Sequence, residues 1–235
     1  MNNKKVQEIA RDTIEYLKTQ IVPRITVKQI VELAETYMMA KGITSFWYYD
    51  IGAFVFAGED TVRSVSGRNY TPSNREIEEN DIITIDLSPQ YECVWGDYAR
   101  TIIIENRQIK EDVACIENQD FKDGILSEEK LHKQLIKIAE PDMTFSELYY
   151  LMNDFVAHLG YINLDLHGNL GHSIEKNKDN RIYIEAENNA RLSEVAYFTF
   201  EPHIGKADSS YGFKMENIYC FNNSQLTDVL NAENM

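Results

Sequence analysis

The sequence predicts an α+β protein built from two copies of one unit, and two repeated patterns carry that prediction. Pro23-Arg24-Ile25-Thr26 and Pro141-Asp142-Met143-Thr144 each open a helical stretch that closes on a glycine sixteen residues after the threonine, at Gly42 and Gly160. A strand-like run in each half then carries Thr-x-acid with a proline close behind: Thr84-Ile85-Asp86 before Pro89, and Thr199-Phe200-Glu201 before Pro202. The copies are offset by 118 and 115 residues and come in the same order. Each half is expected to give helices and antiparallel strands to a shared sheet. The whole of 1–235 is read as one domain, with pseudo-repeat halves of about 1–110 and 111–235.

Taken in order, Val6, Ile9, Ala10, Ile14, Leu17 and Ile21 recur at helical spacing and predict an amphipathic helix ending near Pro23. Thr26 with Gln29 is a capping-box pair for a second helix through Ile30, Val31, Ala34 and Met38, which Gly42 ends. Ser45 to Tyr49 and Ala53 to Ala57 read as strands, and the polar stretch from Gly58 to Asn80 as a long loop. Ile82 to Ile85 forms the next strand, with Thr84 and Asp86 on one face and Ile83, Ile85 and Leu87 on the other. Ser88, Pro89 and Gly96 let the run Thr101 to Ile104 fold back beside it, bringing Asp97 toward Asp86.

After Ile104 the pattern turns polar and helical to about Glu140. Thr144 and Glu147 make another capping box, for a helix carrying Leu148, Met152 and Val156 with His158 on its last turn. Strands are expected at Arg181 to Glu187, Val195 to Glu201 and Phe213 to Phe221, followed by a polar tail.

Composition narrows the function. With 23 basic against 38 acidic residues, the formal charge of -15 repels phosphate backbones and anionic lipid, so neither nucleic acid nor membrane is an expected partner. Cys93, Cys115 and Cys220 have no motif spacing and read as reduced thiols. The start, Met-Asn-Asn-Lys-Lys, lacks an apolar leader and no run reaches membrane-spanning length, which makes the cytoplasm the expected location.

The acids form a constellation. Asp86 and Asp97 come from the first half; Glu201, at a strand end, and Glu216, inside Phe213-Lys214-Met215-Glu216, come from the second; His172 lies between them in Leu170-Gly171-His172-Ser173. Four carboxylates and one imidazole suit two divalent ions sharing carboxylates, with manganese, iron or cobalt favoured over a thiolate-type zinc site.

In this order the residues resemble the pita-bread metallopeptidases of family M24, which include methionine aminopeptidase, aminopeptidase P and prolidase. The resemblance covers essentially the whole chain and implies a pita-bread fold, a duplicated α/β unit around a dinuclear centre of manganese, cobalt, iron or zinc. It implies Asp86, Asp97, His172, Glu201 and Glu216 as the metal ligands. It further implies hydrolysis of the first peptide bond of small peptides, with Glu201 as general base. Asp97-Tyr98-Ala99-Arg100-Thr101 resembles the D-x-x-R-T of the aminopeptidase P and prolidase branch and points to Xaa-Pro cleavage. The length is similar to that of a bacterial methionine aminopeptidase, and a homodimer is among the expected assemblies.

The chain also departs from the pattern. Ser66-Gly67-Arg68-Asn69-Tyr70 stands where a methionine aminopeptidase has a substrate-contacting histidine, and Lys176 to Arg181 lacks the family's second catalytic histidine. His203, directly after Glu201-Pro202, and His167 are the candidate replacements, with Arg68 and Tyr70 as further candidates for the pocket. These departures keep two alternatives open: a non-catalytic binding protein on the same fold, or a metal hydrolase of another small amide.

Overall fold

The computed structural model describes residues 1–232. Two helices, α1 (Asn3–Gln20) and α2 (Val27–Ala40), precede β1 (Ser45–Phe46) and β2 (Ala53–Ala57). Then come β3 (Asp81–Leu87), β4 (Pro89–Tyr91), β5 (Val94–Trp95), β6 (Tyr98–Glu105) and β7 (Gln108–Ile109). The second half opens with α3 (Gln119–Ile138) and α4 (Phe145–His158), followed by β8 (Ile162–Asn163), β9 (Phe198–Phe200) and β10 (His203–Gly205). It closes with β11 (Gly212–Lys214), β12 (Asn217–Asn222) and β13 (Gln225–Asp228). No helix among the described residues is long and apolar enough to cross a membrane.

Both predicted capping boxes form: Thr26 with Gln29, and Thr144 with Glu147. The remaining free amides of each first turn are satisfied in the same way. Val27 and Lys28 donate to the carbonyls of Arg75 and Ser73, while Phe145 and Ser146 donate to those of Ala190 and Asn188. Both helices also stop alike, Ile43 bonding back to Met38 and Tyr161 to Val156, around glycines at φ +97° and +84°.

The central sheet has the order β2-β3-β6-β7 and is antiparallel throughout. Its β3 alternates as predicted. Ile83, Ile85 and Leu87 bury into a core with α1 and α2, and Thr84 and Asp86 face the opposite side. A second core gathers α3 and α4 onto Phe198, Phe200 and Tyr219, and a third, smaller cluster holds Trp47, Trp95 and Ile218.

Several element boundaries differ from expectation. The strand at Ser45 ends at Phe46 because Tyr49 and Asp50 take positive φ. Residues 58–80 are a loop, but Gly58–Val62 and Gly67–Asn69 each form a 3-10 turn within it. The stretch after Ile104 is not helical at once: β6 runs on to Glu105 and pairs with β7, and α3 begins only where Asn118 caps it. Arg181 to Glu187 forms no strand; Tyr183 makes a single bridge to His172, and Glu187 turns away at φ +70°. Of Val195 to Glu201 only Phe198–Phe200 is strand. Phe213 to Phe221 breaks at Met215 and Glu216 into β11 and β12, and the polar tail contains β13.

Candidate metal centre

Backbone register aligns the acids. Asp86 lies opposite Ala99 in the β3–β6 ladder, and Ala99 in turn bridges Glu216, whose amide donates to the Ala99 carbonyl at 3.0 Å. Directly opposed residues share a face, and Asp97 is two residues from Ala99, so Asp86, Asp97 and Glu216 project to one side. One carboxylate oxygen from each lies within 4.8 Å of the others.

The second half brings His172 and Glu201 to the same place. The His172 amide donates to Thr199 Oγ1 at 3.1 Å, and the Thr199 amide to the His172 carbonyl at 2.7 Å. The preceding Gly171 runs so close to this strand that a Cβ there would collide with the Thr199 carbonyl. His172 Nε2 is 3.4 Å from Asp97 Oδ2 and 3.7 Å from Glu201 Oε1. All five residues predicted to act together are therefore brought together.

The protonation pattern suits a cation. His172 Nδ1 lies 3.1 Å from the Ser173 carbonyl, so it carries the proton and Nε2 turns a lone pair toward the carboxylates. Burial drops the His172 pKa to about 4, which keeps the ring neutral. Both Glu216 oxygens are buried without a hydrogen-bond partner. Burial, together with neighbouring Asp86, pushes Asp97 well above the ordinary carboxylate range, and burial with Asp97, Glu201 and Asp86 does the same to Glu216. Unpartnered Glu216 oxygens beside the Asp97 and His172 acceptors fit a hard divalent ion.

Lys214 is a member of this cluster that sequence reading overlooked. Its Nζ is 3.1 Å from Glu201 Oε2 and also pairs with Asp86 Oδ2. Burial works against its charge, but Asp86, Glu201 and Glu216 outweigh that and hold it protonated. The signal was available, since Lys214 stands two residues before Glu216 and alternation sends both to one face.

The centre opens into a cavity of about 670 Å³ that His167 and His203 also line, together with Trp47, Arg181 and Tyr183. His203 Nε2 donates to the Thr61 carbonyl at 2.7 Å, and burial lowers its pKa to about 4, so it offers the cavity an acceptor, Nδ1. Arg68 and Tyr70 are not among the lining residues. The Tyr70 hydroxyl is held by the Val55 backbone, and Arg68 Nε donates to the hydroxyl of Tyr49, which does line the cavity.

The sequence profile of metallopeptidase family M24 matches residues 2–222. The chain belongs to that family. An uncharacterized peptidase of Staphylococcus epidermidis is 24% identical to this M24 chain over 204 residues, covering 87% of the chain and 53% of the relative. Methionine aminopeptidase 1 of Bacillus subtilis is 29% identical over 150 residues, 62% of the chain and 54% of the relative. The chain thus spans about half the length of these curated relatives. The crystal structure of an X-Pro aminopeptidase from Thermotoga maritima superposes with a TM-score of 0.79 at 21% identity, over 99% of this chain and 60% of the other. The fold is the α+β pita-bread fold of M24.

Proposed function

We propose that residues 1–235 form one catalytic domain, with halves of about 1–110 and 111–235, of a dinuclear metal-dependent aminopeptidase that hydrolyses the N-terminal peptide bond of small peptides. The observation that carries this is the convergence of four carboxylates and the unprotonated His172 Nε2, with both Glu216 oxygens buried and unpartnered. Asp86, Asp97 and Glu216 would hold one ion, and Asp97, His172 and Glu201 the other, with Asp97 common to both groups. The bound ions supply Lewis acidity, polarising the scissile carbonyl and lowering the pKa of a water, with manganese, iron or cobalt preferred by this oxygen-rich set.

The protein's own groups do the rest. Glu201, gripped by Lys214 at 3.1 Å, is fixed in orientation and takes the water's proton, then returns it to the leaving amine. The carboxylates draw in the substrate's free ammonium, which makes the reaction exopeptidic. His203, with its outer proton committed to Thr61, offers Nδ1 as an acceptor to a substrate N–H, and His167 contacts the substrate from the exposed wall. The D-x-x-R-T segment at Asp97 to Thr101 favours Xaa-Pro bonds.

Metal content after reconstitution, followed by release of the first residue from Xaa-Pro and Met-Ala dipeptides, tests the proposal. Two equivalents of metal and cleavage of at least one series are expected. Tight metal binding with no cleavage of either would refute the aminopeptidase reading.

A further inference from the structure

Helix α1 carries a carboxamide into the core. Gln7 is fully buried, as are its neighbours Val6 and Ala10. An amide in such a place is costly unless both of its ends are bonded. The Gln7 side chain meets that need on a single residue of the metal centre. Its Nε2 donates to the Asp97 carbonyl at 2.5 Å, and its Oε1 accepts from the Asp97 amide at 3.1 Å.

Asp97 lies between β5, which ends at Trp95, and β6, which begins at Tyr98. Backbone groups two residues apart along a strand point to the same side, and Ala99 uses that side to receive the Glu216 amide at 3.0 Å. At Asp97 the Gln7 carboxamide takes the place of a neighbouring strand. A third bond comes from Trp47, whose indole Nε1 donates to the Gly96 carbonyl at 3.0 Å. The peptide planes before and after Asp97 are both held. That fixes the two soft backbone dihedrals between them, and with them the direction of the Cα–Cβ bond. Gly96 makes the approach possible, since a Cβ there would lie 2.9 Å from Gln7 Oε1 and 3.1 Å from Val6 Cγ1.

We propose that Gln7 is a positioning residue for the metal centre: it clamps the Asp97 backbone so that one carboxylate serves both ions. The inference rests on the dinuclear reading, in which Asp97 belongs to both ligand groups. It ties the first helix to the centre, because loosening α1 near Gln7 releases the orientation of Asp97. The coupling runs both ways. An ion that fixes Asp97 tightens the hold on Gln7 by the same free energy.

The test titrates manganese into the metal-free full chain by calorimetry, for wild type, Gln7→Met and Thr13→Val. Methionine is close to glutamine in size and removes both bonds to Asp97. Thr13 is equally buried in α1, but its hydroxyl bonds to the Ile9 carbonyl at 2.7 Å, so Thr13→Val disturbs the helix without touching Asp97. Wild type and Thr13→Val are expected to take up two equivalents with the same affinities. In Gln7→Met at least one ion should bind roughly ten- to hundredfold more weakly. Equal binding by Gln7→Met and wild type, or an equal loss in Thr13→Val, overturns the inference while leaving the peptidase reading intact. Uptake of a single ion by wild type overturns the dinuclear reading, and weaker binding of that ion in Gln7→Met still supports the clamp. A measurement on wild type alone covers the case in which Gln7→Met does not fold. Exchange of the Gln7 carboxamide hydrogens, followed by NMR, should slow by roughly fivefold or more when the protein is saturated with zinc. An unchanged exchange rate overturns the inference.

Discussion

Lys214 sits with its ammonium against Asp86 and Glu201, a charge the protein supplies to its own anionic cluster before any ion arrives. Removing one partner of a buried ion pair is costly, and Lys214→Met should destabilise the metal-free protein by about 2 kcal/mol, allowing for the partial exposure of this pair. Added divalent metal should close much of that gap, so the metal-induced rise in Tm, read with and without chelator, is expected to be larger in the variant than in wild type. His132 gives a separate handle on pH. Its Nε2 donates to the Met215 carbonyl and its Nδ1 accepts from the Tyr219 hydroxyl, while burial lowers its pKa to about 3. The unfolded ring takes a proton near pH 6.5 and the folded ring does not, so its stabilising contribution is complete above about 6.5 and lost as pH falls toward about 3. Urea unfolding between pH 7 and 5 should show His132→Gln with a shallower loss than wild type, by up to about 1.4 kcal/mol per pH unit. Asp86, Asp97, His172 and Glu201 were legible in the sequence because each stands at a strand end or beside a glycine, where an acid or imidazole has no ordinary packing role, whereas Glu216, inside an expected strand, joined them by its place in the order that the family resemblance implies. Lys214 was overlooked although its spacing from Glu216 hinted at it, since a lone lysine looks like any solvated side chain until its partners are in place.

Glycines at the ends and crossings of elements carry unequal loads. Gly160 is at φ +84° with open space where a Cβ would go, so Gly160→Ala should cost only about 1 kcal/mol from backbone strain. Gly171, at φ +143°, abuts the Thr199 carbonyl. Gly171→Ala must push the His172 segment off that strand, and the expected result is loss of metal binding together with a much larger drop in Tm than in Gly160→Ala. The helices were legible because capping boxes and terminal glycines act locally: Thr26, Thr144, Gly42 and Gly160 fix boundaries through bonds within a few residues. The strands of the second half were less so. Between Arg181 and Phe221, pairing depends on partners far along the chain, and the alternation that suggested one strand from Phe213 to Phe221 hides the break at Met215, where Glu216 leaves β12 to bridge Ala99.

Across the whole molecule, a net charge of -15 favours cations and disfavours anions at every approach. Metal association should therefore slow as ionic strength rises from about 10 to 150 mM, where the Debye length shrinks from about 30 to 8 Å. Stopped-flow mixing with a metal of known spectrum would measure it. The resemblance between the halves is visible at this scale too, since the bonds from residues 27 and 28 to 75 and 73 recur between 145 and 146 and 190 and 188. Where the halves meet, β6 is stitched to residues 214–217 by few bonds. Thr101 Oγ1 exchanges hydrogen bonds with both the amide and the carbonyl of Lys214, Glu216 donates to Ala99, and Arg100 reaches the Glu216 carbonyl at 2.9 Å. An ion held by acids from both flanks would act as a rivet through that seam. Stripping it should free the amides of Lys214 and Glu216 to exchange with deuterium well before those in the middle of β3, so the first motion of the empty protein is a parting of its two halves.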